Sequence, residues 1–265
     1  MSEHPADEAA PLRTSFVADA ARRALLDKVL PIEGWLEPDE AWALHSAALS
    51  VAADRQDPVV VEIGSWKGRS TIAMALALKA KSNGILFAID PHTGSKEHQE
   101  LFGVVDTHAD FERNINAAGV GTIVRPLRMT SHDARQRFAN RSVDLLFVDG
   151  SHEYEDVLQD IDDWTPTLKE AAIVAFNDVW WPGVCRALLE RVLNRRSPFR
   201  NPRMAANTLI FDIRWHRPWT AADAVSNVKA RMPFIVRHRL RRIRRFVPEP
   251  LVRLWMSAAR RWVGA

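Results

Sequence analysis

Short apolar runs alternate with helix-like stretches through the middle of the chain. The runs are rich in Val, Ile, Leu and Phe and predict strands at residues 59–64, 84–90, 122–127, 143–149, 171–176 and 206–215. Between them, apolar residues recur with helical spacing at 70–81, 110–119, 131–139, 155–168 and 183–195. Continuously apolar strands that alternate with helices indicate a parallel sheet covered on both faces. The predicted fold class is α/β and doubly wound, with a mostly parallel sheet of about seven strands.

Two helices are expected before the first strand. One is predicted from Thr14 or Ser15, either of which can cap it, to about Val29, and the other covers 39–53. Residues 1–13 are predicted to be flexible. The expected organisation is therefore a flexible segment with a helix, one α/β domain and a basic helical tail, at residues 1–30, 31–218 and 219–265.

Composition narrows the class of protein. The chain has 265 residues, 47% of them hydrophobic, which suits a globular protein with a substantial core. Its single cysteine, Cys185, excludes an internal disulfide framework and a cysteine-rich zinc site. The acidic start has no apolar core of a secretory signal, and no apolar run approaches the roughly 20 residues of a membrane span. A cytoplasmic protein is expected.

Charge is distributed unevenly along the chain. Residues 229–265 contain eleven Lys or Arg and one acid, Glu249, whereas the other residues contain 25 basic and 32 acidic side chains. A mildly acidic body therefore carries a strongly basic tail, and the net charge of +3 describes neither part. Apolar residues in the tail recur at helical spacing, in two groups separated by Pro248 and Pro250: Val236, Leu240, Ile243 and Val247, then Leu251, Leu254, Trp255, Ala258 and Trp262.

A basic amphipathic helix with tryptophans suits an anionic membrane surface. The tail could instead dock on the acidic body or on a second subunit, which would make a homodimer. Nucleic acid is not an expected partner, because the tail has no recognised binding module. The expected location is the cytoplasm, with the inner face of the membrane as an alternative.

The first predicted strand runs into a glycine-containing loop and then a helix, in the sequence VVVEIGSWKGRST. Gly64 and Gly68 allow a tight turn that passes close to a ligand. Glu62 precedes them and Ser70 follows. The next strand ends on Asp90, where an acidic residue suits a ribose diol. A phosphate-binding loop is a poor fit, because the Gly-Lys-Ser/Thr ending is missing.

These motifs resemble class I S-adenosylmethionine (SAM)-dependent methyltransferases, which have a Rossmann-like fold. VVEIGSWKGRSTIAMA resembles their first motif, FAID their acidic second-strand motif, and MTSHDA the turn after the third strand. The resemblance covers about residues 32–215. It implies SAM as cofactor, held by Glu62, Gly64, Ser65, Trp66, Gly68, Ser70, Asp90, Ser131, His132 and Asp149.

Polar residues also end the fourth and fifth predicted strands. Asp149 ends the fourth, and Asn177 with Asp178 ends the fifth. Carboxylate and amide oxygens suit Mg²⁺, so a metal site is predicted on these three residues. His152 lies three residues after Asp149 and is the predicted general base, and Asp149 is the other predicted catalytic residue.

This second pair of motifs resembles catechol O-methyltransferase and the macrocin-type sugar O-methyltransferases, which are Mg²⁺-dependent. In that resemblance Asp149 matches the aspartate after the fourth strand, and Asn177-Asp178 matches an Asp-Asn or Asp-Asp pair. The order Asn-Asp departs from the family, and His152 stands where the catechol enzymes have a lysine base. A metal-independent variant therefore stays open.

Trp180 and Trp181 follow the fifth strand and are predicted to line the acceptor pocket, with the alternative that at least one of them packs in the core. Broad rings that cover an apolar face favour a sugar, on an oligosaccharide or a glycosylated small molecule. The alternatives are a phenolic or lipid-linked acceptor, or a non-catalytic membrane-surface protein on the same scaffold. The long connection at 91–110 is interpreted as a lid or acceptor loop, with a solvated surface insertion as the alternative.

Overall fold

The computed structural model describes residues 9–194, 197–243 and 258. Within these ranges it contains nine α-helices, α1 to α9 in chain order: Ala9–Val29, Pro38–Asp54, Arg69–Lys81, Lys96–Phe102, His108–Ala117, Ser131–Arg135, Tyr154–Trp164, Pro182–Ala187 and Ala221–Ile243. A 3-10 turn at Thr165–Thr167 follows α7, and a π-helical turn at Leu188–Val192 follows α8.

Seven strands form a single sheet in the described part of the chain. They are β1 to β7: Val59–Ile63, Ile85–Ile89, Val124–Leu127, Val143–Val148, Leu168–Phe176, Phe199–Ala205 and Thr208–Ile213. The spatial order is β3-β2-β1-β4-β5-β7-β6. Neighbours among β1 to β5 pair in parallel, whereas β7 runs antiparallel to both β5 and β6. The expected mostly parallel, doubly wound sheet of seven strands is confirmed.

The late part of the sheet differs from the prediction of one strand at 206–215. The chain instead forms a hairpin of β6 and β7, whose turn includes Ala206 with a φ of 46°. The segment FRNPRMA lacks the apolar pattern of a buried strand and contains Pro202. Proline is tolerated there because β6 is the edge strand and pairs only with β7 in the described sheet.

Both ends of the chain extend beyond the predicted helices or lie outside the description. Helix α1 begins at Ala9, so the predicted flexible segment 1–13 is helical from residue 9 onward. Helix α9 covers the first group of apolar tail residues as far as Ile243. Val247 and the whole second predicted helix, apart from Ala258, lie outside the described residues.

The two faces of the sheet are covered by different helices. On one face, strand residues pack with α1, α2, α3 and α5 through side chains such as Leu44, Ile72 and Phe111. On the other face, α7, α8 and α9 contribute Trp164, Val184 and Phe234. Successive strand residues alternate between the two clusters, as the pleat requires. No helix in the described part of the chain is both long enough and apolar enough to cross a membrane.

The carboxyl ends of the parallel strands meet at one edge of the sheet. There, the amide of Asp149 donates to Ile63 at 2.8 Å and the amide of Asn177 donates to Val148 at 2.9 Å. The loops that leave β1, β4 and β5 are therefore held side by side by backbone hydrogen bonds. In open α/β sheets this edge is where ligands bind.

Candidate active site

The loop between β1 and α3 is shaped by Asp90, at the end of β2. Its Oδ2 accepts hydrogen bonds from the backbone amides of Ser65, at 2.9 Å, and Trp66, at 2.8 Å. Its Oδ1 accepts from the amide of His92 at 2.6 Å. Asp90 was predicted to hold a ribose diol; in the structure it is buried and fixes the loop against which that ribose would lie.

Glu62 and Ser70 lie beneath this loop. Glu62 is fully buried and accepts hydrogen bonds from the hydroxyls of Ser70 and Thr71 at the start of α3. Burial raises the pKa of Glu62 from 4.5 to about 7, although both hydroxyls favour its ionised form. Both residues were predicted to bind the cofactor; in the structure they join β1 to α3.

Replacing Glu62 by glutamine should change how stability depends on pH. Because the pKa of Glu62 is higher in the folded state, the folded protein binds the Glu62 proton more tightly than the unfolded chain does. The stability that this proton contributes is lost as the pH rises from 4.5 to about 7. The free energy of unfolding of Glu62→Gln minus that of the wild type should therefore be about 3 kcal/mol larger at about pH 8 than at about pH 5. Denaturant unfolding at both pH values measures this, and a constant difference would contradict it.

Gly64 and Gly68 allow the close approaches at this edge. Gly64 has a φ of 83°, and a Cβ added to it would lie 2.1 Å from the carbonyl oxygen of Asp149. Gly68, with a φ of 91°, is the N-cap of α3, and its added Cβ would meet the ring of Phe111 at 3.2 Å. Glycine at 64 therefore serves first to bring the β1 loop against the β4 loop.

A Gly64→Ala variant should be destabilised by at least about 3 kcal/mol, because left-handed strain and a backbone clash add together. Gly119→Ala is the matched control. Gly119 also has a left-handed φ, of 66°, but its added Cβ meets only the flexible end of Lys79. It should lose about 1–2 kcal/mol. Equal losses for the two variants in denaturant unfolding would show that the contact with Asp149 is unimportant.

The loop has polar groups that suit a bound cofactor. Ser65 is 2% exposed, and neither its hydroxyl nor the indole Nε1 of Trp66 has a hydrogen-bond partner among the described residues. Buried polar groups are normally paired, so a polar ligand against this loop would complete them. The chemistry of the loop therefore fits SAM.

Ser131 and His132, predicted to hold the cofactor, both contact α7. The hydroxyl of Ser131 donates to buried Asp160, and Nδ1 of His132 lies 2.8 Å from a carboxylate oxygen of Asp163. The Asp163 hydrogen bond raises the pKa of His132, whereas burial raises the pKa of Asp160 to about 7. These contacts fix the turn after β3, and His132 itself is exposed.

Asp149, His152 and Asp178 form the central cluster of the site. One potential ligand atom from each residue lies within 4.8 Å of the others. Nε2 of His152 is 3.1 Å from Oδ2 of Asp178, with their side chains 18% and 28% exposed. Asp178 adopts a left-handed φ of 50°. Residues from two strand ends are thus brought together as the sequence predicted, with His152 as the third member.

Asn177 is oriented differently from the prediction. Its Oδ1 accepts a hydrogen bond from the Thr208 hydroxyl at 2.6 Å, and its Nδ2 donates to Oδ1 of Asp149 at 3.1 Å. A metal ligand would have to present that oxygen to the cluster. In this structure Asn177 is therefore a partner of Asp149 and not a third metal ligand.

The electrostatic environment of Asp149 is unfavourable for a lone anion. Burial raises its pKa well above 3.8, and the charge of Asp178 adds to the rise. The hydrogen bond from Asn177 acts in the opposite direction. Two carboxylates and an imidazole nitrogen are donors that a divalent cation accepts, and its charge would offset the repulsion. The donor set therefore fits a metal ion.

The two tryptophans after β5 have different surroundings. Trp181 is 43% exposed and stacks on His152, with ring centroids 4.5 Å apart. Trp180, also predicted to line the acceptor pocket, is only 4% exposed and stacks on Phe234 of α9 at 5.0 Å. The pocket prediction is wrong for Trp180, which α9 covers, and the alternative that one of the two tryptophans packs in the core applies to it.

The connection at 91–110 places the ring of His98 beside the loop that follows β1. It contains α4, from which His98 stacks on Trp66 at 4.6 Å and lies 4.8 Å from the ring of Trp35. Trp35 is 60% exposed. The predicted lid segment thus contacts the predicted cofactor loop.

Sequence reasoning missed two buried residues that are linked to Asn177. Thr208 and Glu40 are 0% and 1% exposed, and the Thr208 hydroxyl lies 3.2 Å from Oε1 of Glu40. The sequence gives one indication of Glu40: it lies in the first turn of α2, on the same helix face as the apolar residues Ala41 and Leu44. Nothing in the local sequence marks Thr208.

Comparisons with known proteins agree with this fold. Residues 61–179, from β1 to just after β5, match the family model of a methyltransferase domain. An uncharacterized protein of Sinorhizobium fredii, y4gI, is 30% identical over 156 residues. Those residues are 58% of this chain and 17% of that relative, so the chain spans a small part of the relative's length.

Solved O-methyltransferases are among the structural neighbours. NovP superposes with a TM-score of 0.56 at 13% identity, over 67% of this chain and 81% of NovP. TomG of Streptomyces achromogenes, solved with SAM, gives 0.51 at 16% identity, over 81% and 100%. CalS11, a TDP-rhamnose 3'-O-methyltransferase, gives 0.50 at 18%, over 82% and 97%. Residues 61–179 therefore match a methyltransferase domain, and the chain has the fold of class I methyltransferases.

Proposed function

We propose that the protein is an O-methyltransferase that transfers the methyl group of SAM to a sugar hydroxyl, assisted by a divalent cation. The observation that carries this proposal is the cluster of Asp149, His152 and Asp178 at the ligand-binding edge of the sheet, with the open face of Trp181 beside it. It places a base, two carboxylates and an apolar platform next to the predicted cofactor loop.

SAM would be held at the carboxyl ends of the first strands. The residues that would hold it are those of the loop and of the neighbouring turns: Gly64, Ser65, Trp66, Gly68, Asp90, Ser131 and His132. When bound, SAM supplies an electrophilic methyl group. The task of the chain is then to align one acceptor hydroxyl with that group and to remove its proton, and alignment of reactants is itself a large source of acceleration.

Asp149 and Asp178 are the proposed metal ligands. When bound, a divalent cation such as Mg²⁺ supplies positive charge that favours the ionised form of a nearby hydroxyl. Asn177 contributes indirectly, because its amide hydrogen bond stabilises the ionised form of Asp149. Since the oxygen of Asn177 is turned away, fewer protein oxygens face the cation than the sequence predicted, and water or substrate oxygens would complete its coordination.

His152 is the proposed general base. Asp178 lies 3.1 Å from its Nε2, so the carboxylate can orient the imidazole and stabilise the cation that forms when the imidazole takes the hydroxyl proton. The stacked ring of Trp181 restricts rotation of the imidazole. The two contacts hold the base in one orientation.

A sugar acceptor is supported by two observations. The exposed ring of Trp181 can cover the apolar face of a sugar, and one structural neighbour, CalS11, is described as acting on TDP-rhamnose. A phenolic hydroxyl would use the same ring by aromatic stacking. The acceptor class must therefore be found by experiment.

A label-transfer experiment tests the proposal. The purified chain is incubated with methyl-labelled SAM, Mg²⁺ and fractions of an extract from the source cell. We expect label in water-soluble glycans or glycosides, stable to acid conditions that hydrolyse methyl esters. Label in phenolic compounds would show that the acceptor is a phenol and not a sugar. If the protein binds SAM but transfers label to no fraction, the proposed activity is overturned.

A further inference from the structure

Helix α9 has two apolar faces, and only one is covered. Ala230 and Phe234 are fully buried against the domain. Val225, Val228 and Met232 are 61%, 52% and 38% exposed. Their spacing of three and four residues aligns them on one side of the helix, opposite the buried face. The docked helix therefore displays an apolar stripe to solvent.

The charged residues that follow this stripe along the chain are almost all basic. Asp223 is the acid of α9, and it is 5% exposed and bound to Arg217 and Thr220. From Lys229 onward the sequence has eleven Lys or Arg and one Glu. An exposed apolar stripe that continues into a basic segment has the composition of a helix that lies in a lipid interface.

We propose that the stripe of Val225, Val228 and Met232 docks on an anionic membrane surface. The basic residues that follow would contact lipid headgroups, while the stripe enters the boundary with the acyl chains. A second copy of the chain is a poorer partner, since pairing of two stripes would bring two basic segments together. The face with Phe234 keeps the methyltransferase domain attached.

Vesicle flotation with the full chain tests this docking. Vesicles of phosphatidylcholine alone are compared with vesicles that also contain phosphatidylserine. We expect binding only to the anionic vesicles, and a roughly tenfold weaker partition for Val225→Asn/Val228→Asn. Val104→Asn is the control, because Val104 is a fully exposed valine outside α9.

Three results would overturn the docking proposal. They are absence of binding to anionic vesicles, equal binding by the wild type and the double variant, and a dimer in analytical ultracentrifugation that only the double variant loses. The last result would assign the stripe to a second copy of the chain.

A second inference rests on different residues, those around Glu40. This carboxylate comes from α2, before the matched methyltransferase domain, and is 1% exposed. Its Oε2 accepts from the amide of Glu37, and its Oε1 accepts from the amide of Asn207 in the β6–β7 turn, both at 2.8 Å. Glu40 therefore ties the start of α2 to the start of β7.

A hydrogen-bonded path leads from Glu40 to the cluster. Thr208 lies 3.2 Å from Glu40 and 2.6 Å from Oδ1 of Asn177, whose Nδ2 donates to Asp149 at 3.1 Å. Because a hydroxyl has one proton, Thr208 donates to the nearer acceptor, Asn177. Glu40 accepts from the amide of Asn207 and lies 3.2 Å from the Thr208 hydroxyl, so it holds the turn that carries Thr208.

We infer that Thr208 and Glu40 are positioning residues that fix the amide of Asn177, so that its N–H group and not its oxygen faces Asp149. Reversal of that amide would place its oxygen against a carboxylate and destabilise the ionised form of Asp149. The effect of this orientation on metal binding and turnover rests on the proposed function, whereas the orientation of the Asn177 amide itself is independent of it.

The side-chain amide resonance of Asn177 in ¹⁵N-labelled, metal-free protein reports that orientation, and its loss in Asn177→Ser assigns it. We expect Thr208→Val to shift the resonance and to speed its exchange with water, and Thr208→Ser to restore it. Glu37→Gln is the control: Glu37 also bonds the same turn, through Asn207, but has no contact with Thr208 or Asn177 in the described hydrogen bonds. Binding of Mn²⁺ should weaken by about 10- to 100-fold in Thr208→Val.

The two readouts separate this inference from the proposed function. An Asn177 resonance that is unchanged in Thr208→Val would overturn the positioning role, whatever the metal does. A shifted resonance in a protein whose wild type binds no Mn²⁺ would support the positioning role and remove the metal from the proposed function.

Discussion

Asp149→Asn should abolish most methyl transfer and yet stabilise the folded protein. The variant removes a proposed metal ligand, and a bound metal contributes several kcal/mol to charge stabilisation, so turnover should fall by roughly 10²- to 10³-fold. Because burial and Asp178 raise the pKa of Asp149 above 3.8, its ionised form opposes folding, and this loss of stability grows as the pH rises above 3.8. The free energy of unfolding at about pH 8 should therefore rise in the variant.

Asp144→Asn is a matched control on the same strand. Asp144 is also buried, at 1% exposure, but it accepts hydrogen bonds from Lys169 at 2.7 Å and the Val59 amide at 2.9 Å, far from the carboxyl end of β4. Its replacement should lower stability and leave turnover of the folded fraction unchanged. If Asp149→Asn and Asp144→Asn both lose activity and both lose stability, Asp149 acts by maintaining the fold and not in methyl transfer.

His152→Ala should lower turnover by roughly 10²- to 10⁴-fold, the usual contribution of a general base. Loss of the base removes the group that accepts the hydroxyl proton, but it leaves Asp149 and Asp178 in place. Mn²⁺ affinity, measured by calorimetry, should therefore change little. His216, which is exposed and lies between β7 and α9, provides the control His216→Ala, and it should retain wild-type turnover.

Two outcomes would reject the role of base for His152. A normal rate in His152→Ala would assign the proton to water or to another group. A large loss of Mn²⁺ affinity that accounts for the lost turnover would make His152 the third metal ligand, which the distances within the cluster permit.

Much of this arrangement follows from local sequence. The apolar runs locate β1 to β5, and parallel strands necessarily bring their carboxyl ends to one edge, so the sequence alone places Asp149 and Asp178 together. His152 could be assigned to the same site because it follows Asp149 by three residues. The hairpin of β6 and β7 could not be predicted, since the segment around Pro202 has no strand pattern.

Side-chain orientation depends on residues that are distant in the chain. Asn177 turns its oxygen away from the cluster because Thr208, 31 positions later, donates to it. Trp180 is buried because Phe234 of α9 stacks on it, whereas the adjacent Trp181 stays open. Asp90 uses its oxygens to bind the loop amides of Ser65 and Trp66. Each motif taken alone shows a polar or aromatic residue at a strand end and does not reveal its partner.

A crystal structure of the full chain with SAM and Mn²⁺ would test the proposed site of methyl transfer. We expect SAM against the loop of residues 64–68, with its methyl group directed to the cluster of Asp149, His152 and Asp178, and anomalous density for Mn²⁺ at the two carboxylates. A SAM molecule whose methyl group points away from that cluster, with no metal there, would contradict the proposed site of methyl transfer.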